Sequence, residues 1–501
     1  MAWPPVSLYY DVLGGTNLNH TDRVSQTQEL LELGSGSENL IPDPAGELVT
    51  RPGFSKAFAT AITDALKITG LHYMKDLADE LIITCGNATF KRGNANPPGA
   101  LTGGTAFTSG DNVLTRSTIF NDFLIVVSNA RDLPQTVNAS ATRADLGGTP
   151  ARGLDVKAFA RRVCMFSPIY SSTTYRSLMS FTSANDNQAA WANPVTINFL
   201  NFGRTGTDVN VLGGEVFADH LMVFTEDGVF PVYATPNAVL PLAFQQSAFT
   251  EPSGGPPNIH AVVAANDHLY WVSKNFDVKT MDRSGRVASV KYADSVRPFL
   301  RGLNDSRRVY TVGGWDPIYR MVLWAVSDGS DTQHNTVLAL HVDTGWFFLH
   351  TISRNAFCNR TVSGESRLLG GGYSGFLYNE YDASTTGNLD DSAATISATA
   401  AFPRLHAGQP DVTKKIPYLF VEVDPIGTET ITVTGNLDDN TGYTDVSTTL
   451  AITGTDTKLF RVPIPAPWKR FQPRLVNAVS GERMRIIRLG LPRPLASVAI
   501  T

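Results

Sequence analysis

Hydrophobic positions in this chain fall into short runs, and four of these runs follow a tight polar turn of one kind. The acid of the turn recurs after 43, 97 and 48 residues, and the middle interval is close to two periods. A turn-and-strand unit that repeats every 40–50 residues predicts the blades of a β-propeller. Such a small sheet cannot bury both faces alone, so neighbouring units must stack on it. The four turns carry Asp79, Asp122, Asp219 and Asp267.

Three weaker copies of the unit complete the series, although they lack the shared acid. They lie at residues 175–181, 316–324 and 374–378. Seven starts between residues 61 and 395 predict an all-β chain with a seven-bladed propeller. Six blades are the alternative, because the weak copies share only the apolar run.

The two ends of the chain differ in pattern from the repeats. Residues 1–60 predict an extended N-terminal arm with a strand near Tyr9 and two helical turns at 27–33, since prolines and a Pro-Gly pair interrupt the remainder. Short alternating strands over residues 396–501 predict a separate C-terminal β-sandwich.

Two stretches of the propeller are rich in Gly, Asn, Pro and Thr. Residues 93–112 and 133–155 predict long surface loops that project from one face.

The composition argues against several classes of protein. Charged residues make up only 17% of the chain, and 42 glycines and 29 prolines leave little room for long helices. The formal net charge is −5, whereas a protein that binds duplex DNA tightly normally carries a basic surface. The three cysteines have no metal-binding spacing, which predicts buried free thiols made in a reducing cytoplasm. The sequence predicts neither a signal peptide nor a membrane span.

Candidate chemistry is sparse. No phosphate-binding loop and no metal-ligand spacing occurs, so we expect no cofactor, no metal and no catalytic residue. The four turn aspartates are predicted to cap their turns by accepting hydrogen bonds from backbone amides, with calcium binding as a weaker alternative. A sugar-cleaving propeller needs an arginine cluster beside a tyrosine. The residues available for that role are Arg301, Arg307, Arg308 and Arg320, with Tyr310 and Tyr319.

One basic strip stands out near the C-terminus, where Glu482 is the only acid close by in sequence. Three interpretations are open: nucleic-acid contact, a cationic sheet edge that prevents strand pairing, and a surface for a partner of opposite charge. The last two are favoured over the first. The basic strip comprises Lys469, Arg470, Arg474, Arg483, Arg485 and Arg488.

Several segments resemble one known family. Asn39 followed by residues 46–54, which end in Arg-Pro-Gly-Phe, resembles the start of the tail nozzle, or tail hub, proteins of short-tailed bacteriophages. The blade segments 216–225, 261–273 and 342–346 are similar to that family and to the phage packaged-DNA stabilisation proteins.

The resemblance implies a non-enzymatic structural protein of the virion tail, assembled in the host cytoplasm. It implies a homo-oligomeric ring, commonly a hexamer, below the portal and adaptor and in contact with tail fibre or spike proteins. Double-stranded DNA would pass through the lumen without sequence-specific binding, and the ring would retain the genome and gate its ejection. The loops at 93–112 and 133–155 are the expected gate.

The alternative function is a propeller that binds or cleaves glycans at the host surface. Aromatic side chains that stack on sugars would serve that role. The candidates are Trp271, Trp315, Trp324 and Trp346.

Overall fold

The computed structural model describes most of the chain. The described residues are 6–11, 36–43, 47–62, 66–75, 77, 79–93, 98–191, 198–203, 209–244, 254–382, 390–392, 394–405, 411–425, 427–438, 440–454 and 456–492. The helical turns predicted at residues 27–33 lie outside them.

Seven four-stranded antiparallel sheets form a β-propeller, as the sequence predicts. We number them blades 1 to 7 and letter their strands A to D from the axis outward. Blade 1 contains Ile68–Met74, Glu80–Cys85, Phe90–Arg92 and Gly99–Leu101; blade 2 contains Thr115–Phe120, Phe123–Ser128, Gln135–Asn138 and Arg143–Asp145; blade 3 contains Asp155–Phe159, Arg162–Phe166, Leu178–Phe181 and Phe199–Asn201; blade 4 contains Val211–Phe217, His220–Thr225, Val229–Ala234 and Leu242–Phe244.

The remaining blades continue this order, and the last one closes the circle. Its outermost strand comes from the N-terminal segment, so the two ends of the propeller sequence share one sheet. Blade 5 contains Val263–Ala265, His268–Val272, Val278–Asp282 and Val287–Ser289; blade 6 contains Val312–Asp316, Met321–Val326, Thr336–His341 and Trp346–His350; blade 7 contains Ala356–Val362, Glu365–Gly371, Leu377–Asn379 and Ser55–Lys56.

The A strands pack around the axis, and strand 7A packs against strand 1A. The 3-10 turn Ile259–Ala261 contacts strands 4A and 6A, and Phe224 packs on Trp271 between blades 4 and 5. Separate apolar clusters fill the spaces between blades, as stacking of half-buried sheets requires. Helices α1 (Ala293–Gly302) and α2 (Asp305–Arg308) connect blade 5 to blade 6, and a small hairpin, Ile169–Tyr170 with Thr173–Thr174, extends from blade 3.

The C-terminal region forms a β-sandwich, which confirms the predicted fold. One sheet follows the order Leu40–Pro42, Leu48–Thr50, Arg485–Pro492, Tyr418–Val423 and Lys458–Pro463, with Val6–Asp11 also paired to Arg485–Pro492; the other follows the order Ala398–Ala401, Phe471–Asn477, Glu429–Leu437 and Val446–Ile452.

The sandwich and the propeller share one apolar core. Leu40 and Ile41 of the N-terminal hairpin pack with Phe348 and Ile352 of the propeller and with strands of both sandwich sheets. The segment predicted as an arm therefore crosses both domains: residues 40–42 and 48–50 complete a sandwich sheet, and residues 55–56 complete blade 7. Its strand partners lie hundreds of residues later in the chain, where no local pattern reveals them.

The two predicted surface loops combine short outer strands with irregular connectors in the parts that the structure describes. Residues 93–112 contain strand 1D, and residues 133–155 contain strands 2C and 2D. The strands were missed because short outer strands rich in Gly and Thr resemble loops in sequence. Residues 102–112 form an irregular, mostly exposed connector. Thr105 and Thr108 anchor this connector to Asp145 and Asp132, whose side chains accept hydrogen bonds of 2.5 and 2.9 Å from the two backbone amides.

Two of the weak blade starts also lie elsewhere in their blades than predicted. Residues 175–181 and 374–378 belong to third strands, whereas the turns between strands A and B of those blades are at Ala160-Arg161 and Ser363-Gly364. These turns lack aspartate, which is why the aspartate-containing turn pattern does not mark them. The third weak copy, residues 316–324, marks the A–B turn of blade 6.

Candidate functional site

Four charged side chains from three successive A strands meet beside the propeller axis. Arg116 of blade 2 donates to Asp155 of blade 3 at 3.2 Å and to Glu215 of blade 4 at 3.0 Å. Lys157 Nζ lies 2.8 Å from the same Glu215 carboxylate. The amide of Gly214 donates to Asp155 at 3.0 Å. Two cations and two anions cancel, and their bonds join three blades at a position where unpaired charges would be costly.

Two histidines border this charged group. His72 Nε2 lies 3.0 Å from Thr115 Oγ1, which is 2.6 Å from Thr84 Oγ1. Burial, aided by the Arg116 charge, lowers the pKa of His72 to about 3. The same two causes, with a contribution from His72, hold the pKa of His260 well below its usual value. Both rings are therefore neutral at pH 7.

The axis holds a small cavity rather than an open passage. Its volume is about 130 Å³, and His72, Arg116, Lys157 and His260 are among its lining residues. Liquid water takes about 30 Å³ per molecule, so the space suits about four waters. A DNA duplex is far wider, so the axis of one propeller cannot be a DNA channel.

Gly70 makes the close packing at this axis directly testable. A Cβ at this position would lie 1.9 Å from Thr115 Oγ1 and 2.6 Å from Thr84 Oγ1. We expect Gly70→Ala to lower the free energy of unfolding by about 1–3 kcal/mol, because the extra methyl group overfills a packed site. Urea unfolding followed by fluorescence gives the value. Gly99→Ala is the matched control, since a Cβ there meets nothing within 4 Å; equal losses in both variants would contradict the interpretation.

The four predicted turn aspartates lie on one face of the propeller. Each belongs to the turn between strands A and B of its blade, in blades 1, 2, 4 and 5, and each is exposed. What the two-residue turns share is backbone conformation: φ is +51° at Asn121, +49° at Ala218 and +51° at Asn266. Hairpin turns of this kind favour a positive φ at the first central residue.

Two of these acids have side-chain partners. Asp79 accepts from the hydroxyl of Tyr73, and Asp267 pairs with Arg283 at 2.6 Å. Capping of the turns through backbone amides stays a prediction.

The predicted basic strip is divided between the two sheets of the sandwich. Arg474 lies on strand Phe471–Asn477 of one sheet, whereas Arg485 and Arg488 lie on strand Arg485–Pro492 of the other. Lys469 and Arg470 precede the first of these strands, and their backbone amides donate to Asp438 at 2.6 and 3.0 Å. Arg483 is half-buried, and burial lowers its pKa.

Acids distant in sequence compensate much of this charge. Arg485 lies 2.8 Å from Asp424 and 2.7 Å from Glu47, and it also pairs with Asp43. Arg488 pairs with Glu422. The strip is therefore not one continuous basic surface, and the sequence missed this because the partners come from the N-terminal hairpin and a neighbouring strand.

The residues considered for a sugar-cleaving site do not converge. Helix α2, which holds Arg307 and Arg308, precedes strand 6A, whereas Arg320 follows that strand. They consequently lie at opposite faces of the propeller. Arg308 bonds to Asp305 at 3.0 Å, and Arg320 pairs with Asp343.

The tryptophans are mostly structural. Trp271 and Trp324 are fully buried, and their indole nitrogens donate to Gly254 and Ala261 carbonyls at 2.8 Å each. Trp315 and Trp346 are half-buried and pack against the cores beside blade 6.

The three cysteines are free, and burial raises the pKa of Cys85 to about 11 and those of Cys164 and Cys358 to about 12. Among the described residues, no three His, Cys, Asp or Glu side chains are grouped to hold a metal. None of the helices in the described ranges has the length and apolar character needed to cross a membrane.

Comparisons with known proteins address the fold. No family model matches the chain, and no curated protein matches it. A structure of YCF48 bound to D1 peptide has a TM-score of 0.39 at 12% identity and covers 64% of this chain and 94% of its own. The WD40 β-propeller domain of Doa1 has a TM-score of 0.38 at 10% identity, covering 65% and 96%. BamB from Moraxella catarrhalis has a TM-score of 0.37 at 13% identity, covering 70% and 99%.

Proposed function

We propose that this chain is a structural component of a phage tail, the nozzle or hub, in which copies form a ring below the portal and adaptor. The ring would continue the DNA channel, retain the packaged genome and gate its ejection. The proposal depends most on Asn39 and residues 51–54, which belong to the segment that resembles the start of that family. These residues form the junction that joins the sandwich to the propeller.

Arg51 lies at the centre of this junction and is 1% exposed. Its Nε donates to Asn39 Oδ1 at 2.9 Å, and its two terminal nitrogens donate to Asp391, one of them at 2.7 Å. Asn39 in turn donates to the Ser397 carbonyl, at the start of the sandwich, at 2.9 Å, and accepts from the amide of Thr351, which directly follows strand 6D, at 3.0 Å. One buried cation thus fixes both domains to the N-terminal segment.

Phe54 completes the junction at the last blade. The Arg354 guanidinium lies 4.2 Å from the Phe54 ring centre and 4.0 Å from that of Tyr378, and it pairs with the buried Glu380. The chain then enters strand 7D at Ser55–Lys56. A single rigid body built in this way suits a wall element that must withstand the pressure of packaged DNA.

The narrow axis supports a channel made between copies. Because the cavity holds only about 130 Å³, DNA would have to pass through the centre of a ring of several chains. The modest net charge of −5 suits a surface along which DNA slides without tight binding.

Assembly and location test the proposal. We expect purified particles to contain the chain as a closed ring in cryo-electron microscopy, and we expect light scattering at high protein concentration to show a species of about six times 54.2 kDa. Antibodies raised against the recombinant chain should label the tail. A monomer that binds or cleaves host glycans and is missing from particles would overturn the proposal.

A further inference from the structure

The cavity at the propeller axis is lined by positive charge and by hydrogen-bond donors. Arg116, Lys157 and His260 border it, and among the described residues no carboxylate does. The uncharged polar part of the wall consists of hydroxyl groups and one amide, which belong to Thr69, Thr115, Ser117 and Asn355. A wall of this composition suits a ligand that accepts hydrogen bonds and carries negative charge.

The two carboxylates that neutralise these cations lie outside the cavity wall. Asp155 accepts hydrogen bonds from Arg116 at 3.2 Å and from the Gly214 amide at 3.0 Å. Glu215 accepts from Arg116 at 3.0 Å and from Lys157 at 2.9 and 2.8 Å. Their oxygens are therefore engaged on the side of the two cations that faces away from the cavity.

Donors on the cavity side remain available for a ligand. The described part of the chain offers no hydrogen-bond partner to Arg116 Nη1 or to the His260 ring. Lys157 gives two bonds to Glu215, and an ammonium group has a third hydrogen to donate. The Arg116 and His260 groups are not sealed off by protein atoms. A small ligand in the cavity can consequently reach all three donors.

The neighbouring histidines report the sign of the electrostatic potential in the cavity. Burial is the largest cause of the lowered pKa of His72 and of His260, and the Arg116 charge lowers both further. No acid of the described residues contributes a shift in the opposite direction to either ring. The Arg116 charge thus acts on the cavity without compensation by Asp155 or Glu215, and the resulting positive potential favours an anion.

The size of the cavity restricts the anion to a small one. Its volume of about 130 Å³ suits about four waters, as calculated above. Pockets for larger organic ligands measure about 300–1,000 Å³, so a nucleotide or a sugar phosphate is too large. A tetrahedral inorganic oxyanion fits the space, and its oxygens can accept hydrogen bonds from several walls at once.

We propose that the axial cavity binds one small inorganic oxyanion, sulfate or phosphate, through Arg116, Lys157 and His260. The ion bridges strand 2A, strand 3A and the turn before strand 5A, so its binding stabilises the folded propeller. This inference goes beyond the proposed function, because it concerns the single chain and holds whether or not copies form a ring.

Titration calorimetry with sodium sulfate at pH 7 tests the binding. We expect saturable binding to one site with a dissociation constant of about 1 mM or below. The midpoint of thermal unfolding should rise with sulfate concentration, and sodium phosphate should act in the same way. Sodium chloride at equal ionic strength is the control and should not reproduce the rise. If sulfate and phosphate show no more effect than chloride, the proposal is refuted.

Variants of His260 test the assigned site. We expect His260→Phe to weaken sulfate binding at least about tenfold, because the ring nitrogens are lost while the planar shape is kept. His260→Gln keeps an N–H donor and should lose less affinity. His268→Phe is the matched control, since His268 begins strand 5B and lies outside the cavity wall. Thermal unfolding without sulfate verifies that each variant is folded. Unchanged sulfate affinity in folded His260→Phe would refute the assignment.

A crystal structure with selenate locates the ion directly. Selenate has the shape and charge of sulfate, and its selenium gives an anomalous signal. We expect a peak in the axial cavity within hydrogen-bonding distance of Arg116 Nη1 and the His260 ring. Peaks on the outer surface alone would mean an adventitious ion only and would overturn the proposal. Labelling of particles decides the proposed function separately from all of these results.

Discussion

Acidification from pH 6.5 to pH 4.5 is expected to remove much of the stability of the folded chain. Burial, the largest cause in each case, lowers the pKa of His72 and His350 to about 3 and that of His334 to about 4. In the unfolded chain these side chains titrate near their ordinary value of about 6.5. The unfolded state therefore binds protons first as the pH falls, and the folded state loses stability.

The size of the effect follows from linkage. Each of these histidines has a lower pKa in the folded chain than in the unfolded chain. Its contribution to the free energy of unfolding is therefore complete above pH 6.5 and is lost as the pH falls towards the folded pKa. Each group contributes about 1.4 kcal/mol per pH unit within that window, so three groups give about 4 kcal/mol per unit. Typical domains have only about 5–15 kcal/mol of stability.

The carboxyl of Asp316 has the opposite effect on stability as the pH falls. Burial raises the pKa of its carboxyl from 3.8 to about 6. A raised carboxyl pKa disfavours folding at neutral pH, and the penalty fades as the pH falls from about 6 to about 4. Asp316 offsets about 1.4 kcal/mol per unit. Burial also raises the pKa of the Glu38, Glu47 and Glu380 carboxyls, which adds to this offset, whereas the lowered pKa of His260 adds to the loss of stability. We expect the four buried histidines to outweigh these carboxyls.

Urea unfolding at pH 7, 6 and 5 measures the slope. His350 is suited to a variant, because Nδ1 lies 2.6 Å from the Tyr381 hydroxyl and Nε2 lies 3.0 Å from the Leu40 carbonyl. His350→Gln should reduce the slope by about 1.4 kcal/mol per unit whatever its own stability. His72→Gln provides the same measurement at the axis. A stability that stays level between pH 6.5 and pH 5 would show that these rings are not held neutral.

Replacement of Arg51 by alanine is expected to cost about 3–5 kcal/mol in the free energy of unfolding. The substitution removes a buried cation and leaves the Asp391 carboxylate, which is 14% exposed, without that partner. It also removes the donor to Asn39, which joins the sandwich to the connector after strand 6D. We expect calorimetry to show a lower transition temperature and an earlier loss of the sandwich.

Two further variants separate charge from shape. Arg283→Ala removes the exposed pair with Asp267, where both side chains are more than half exposed, and should cost less than about 1 kcal/mol. The double variant Arg51→Met with Asp391→Leu should recover part of the loss, because apolar replacement of both partners leaves no buried charge. Equal losses for Arg51→Ala and Arg283→Ala would refute a central role for the junction.

The propeller prediction depended on patterns within short stretches of sequence. A two-residue turn such as Asn121-Asp122 joins adjacent antiparallel strands. The conformation of such a turn is set by the residues next to it in sequence, so a local pattern can predict it. Repetition of that signal predicted the blade count. The same signal failed at Ala160-Arg161 and Ser363-Gly364, where other residues adopt the positive φ angles.

The ion-pair partners of the charged side chains could not be predicted from nearby sequence. The basic strip contained Arg485 with one acid nearby in sequence, yet the structure places Asp43, Glu47 and Asp424 around it. Likewise, the contacts among Arg116, Asp155 and Glu215 arise only when three blades stack at the axis. Coulomb interactions depend on distance in space, and folding sets that distance independently of separation along the chain.

The sequence by itself determined that the chain forms repeated small sheets, about how many, and that a second β-domain follows them. These features depend on turns and alternation within some ten residues, so they are encoded locally. Only the tertiary structure decided that the N-terminal segment completes both domains, that Arg51 joins them and that the axis leaves only a small cavity. Those features arise from pairing between distant segments, whose register is set by the packing of the whole core.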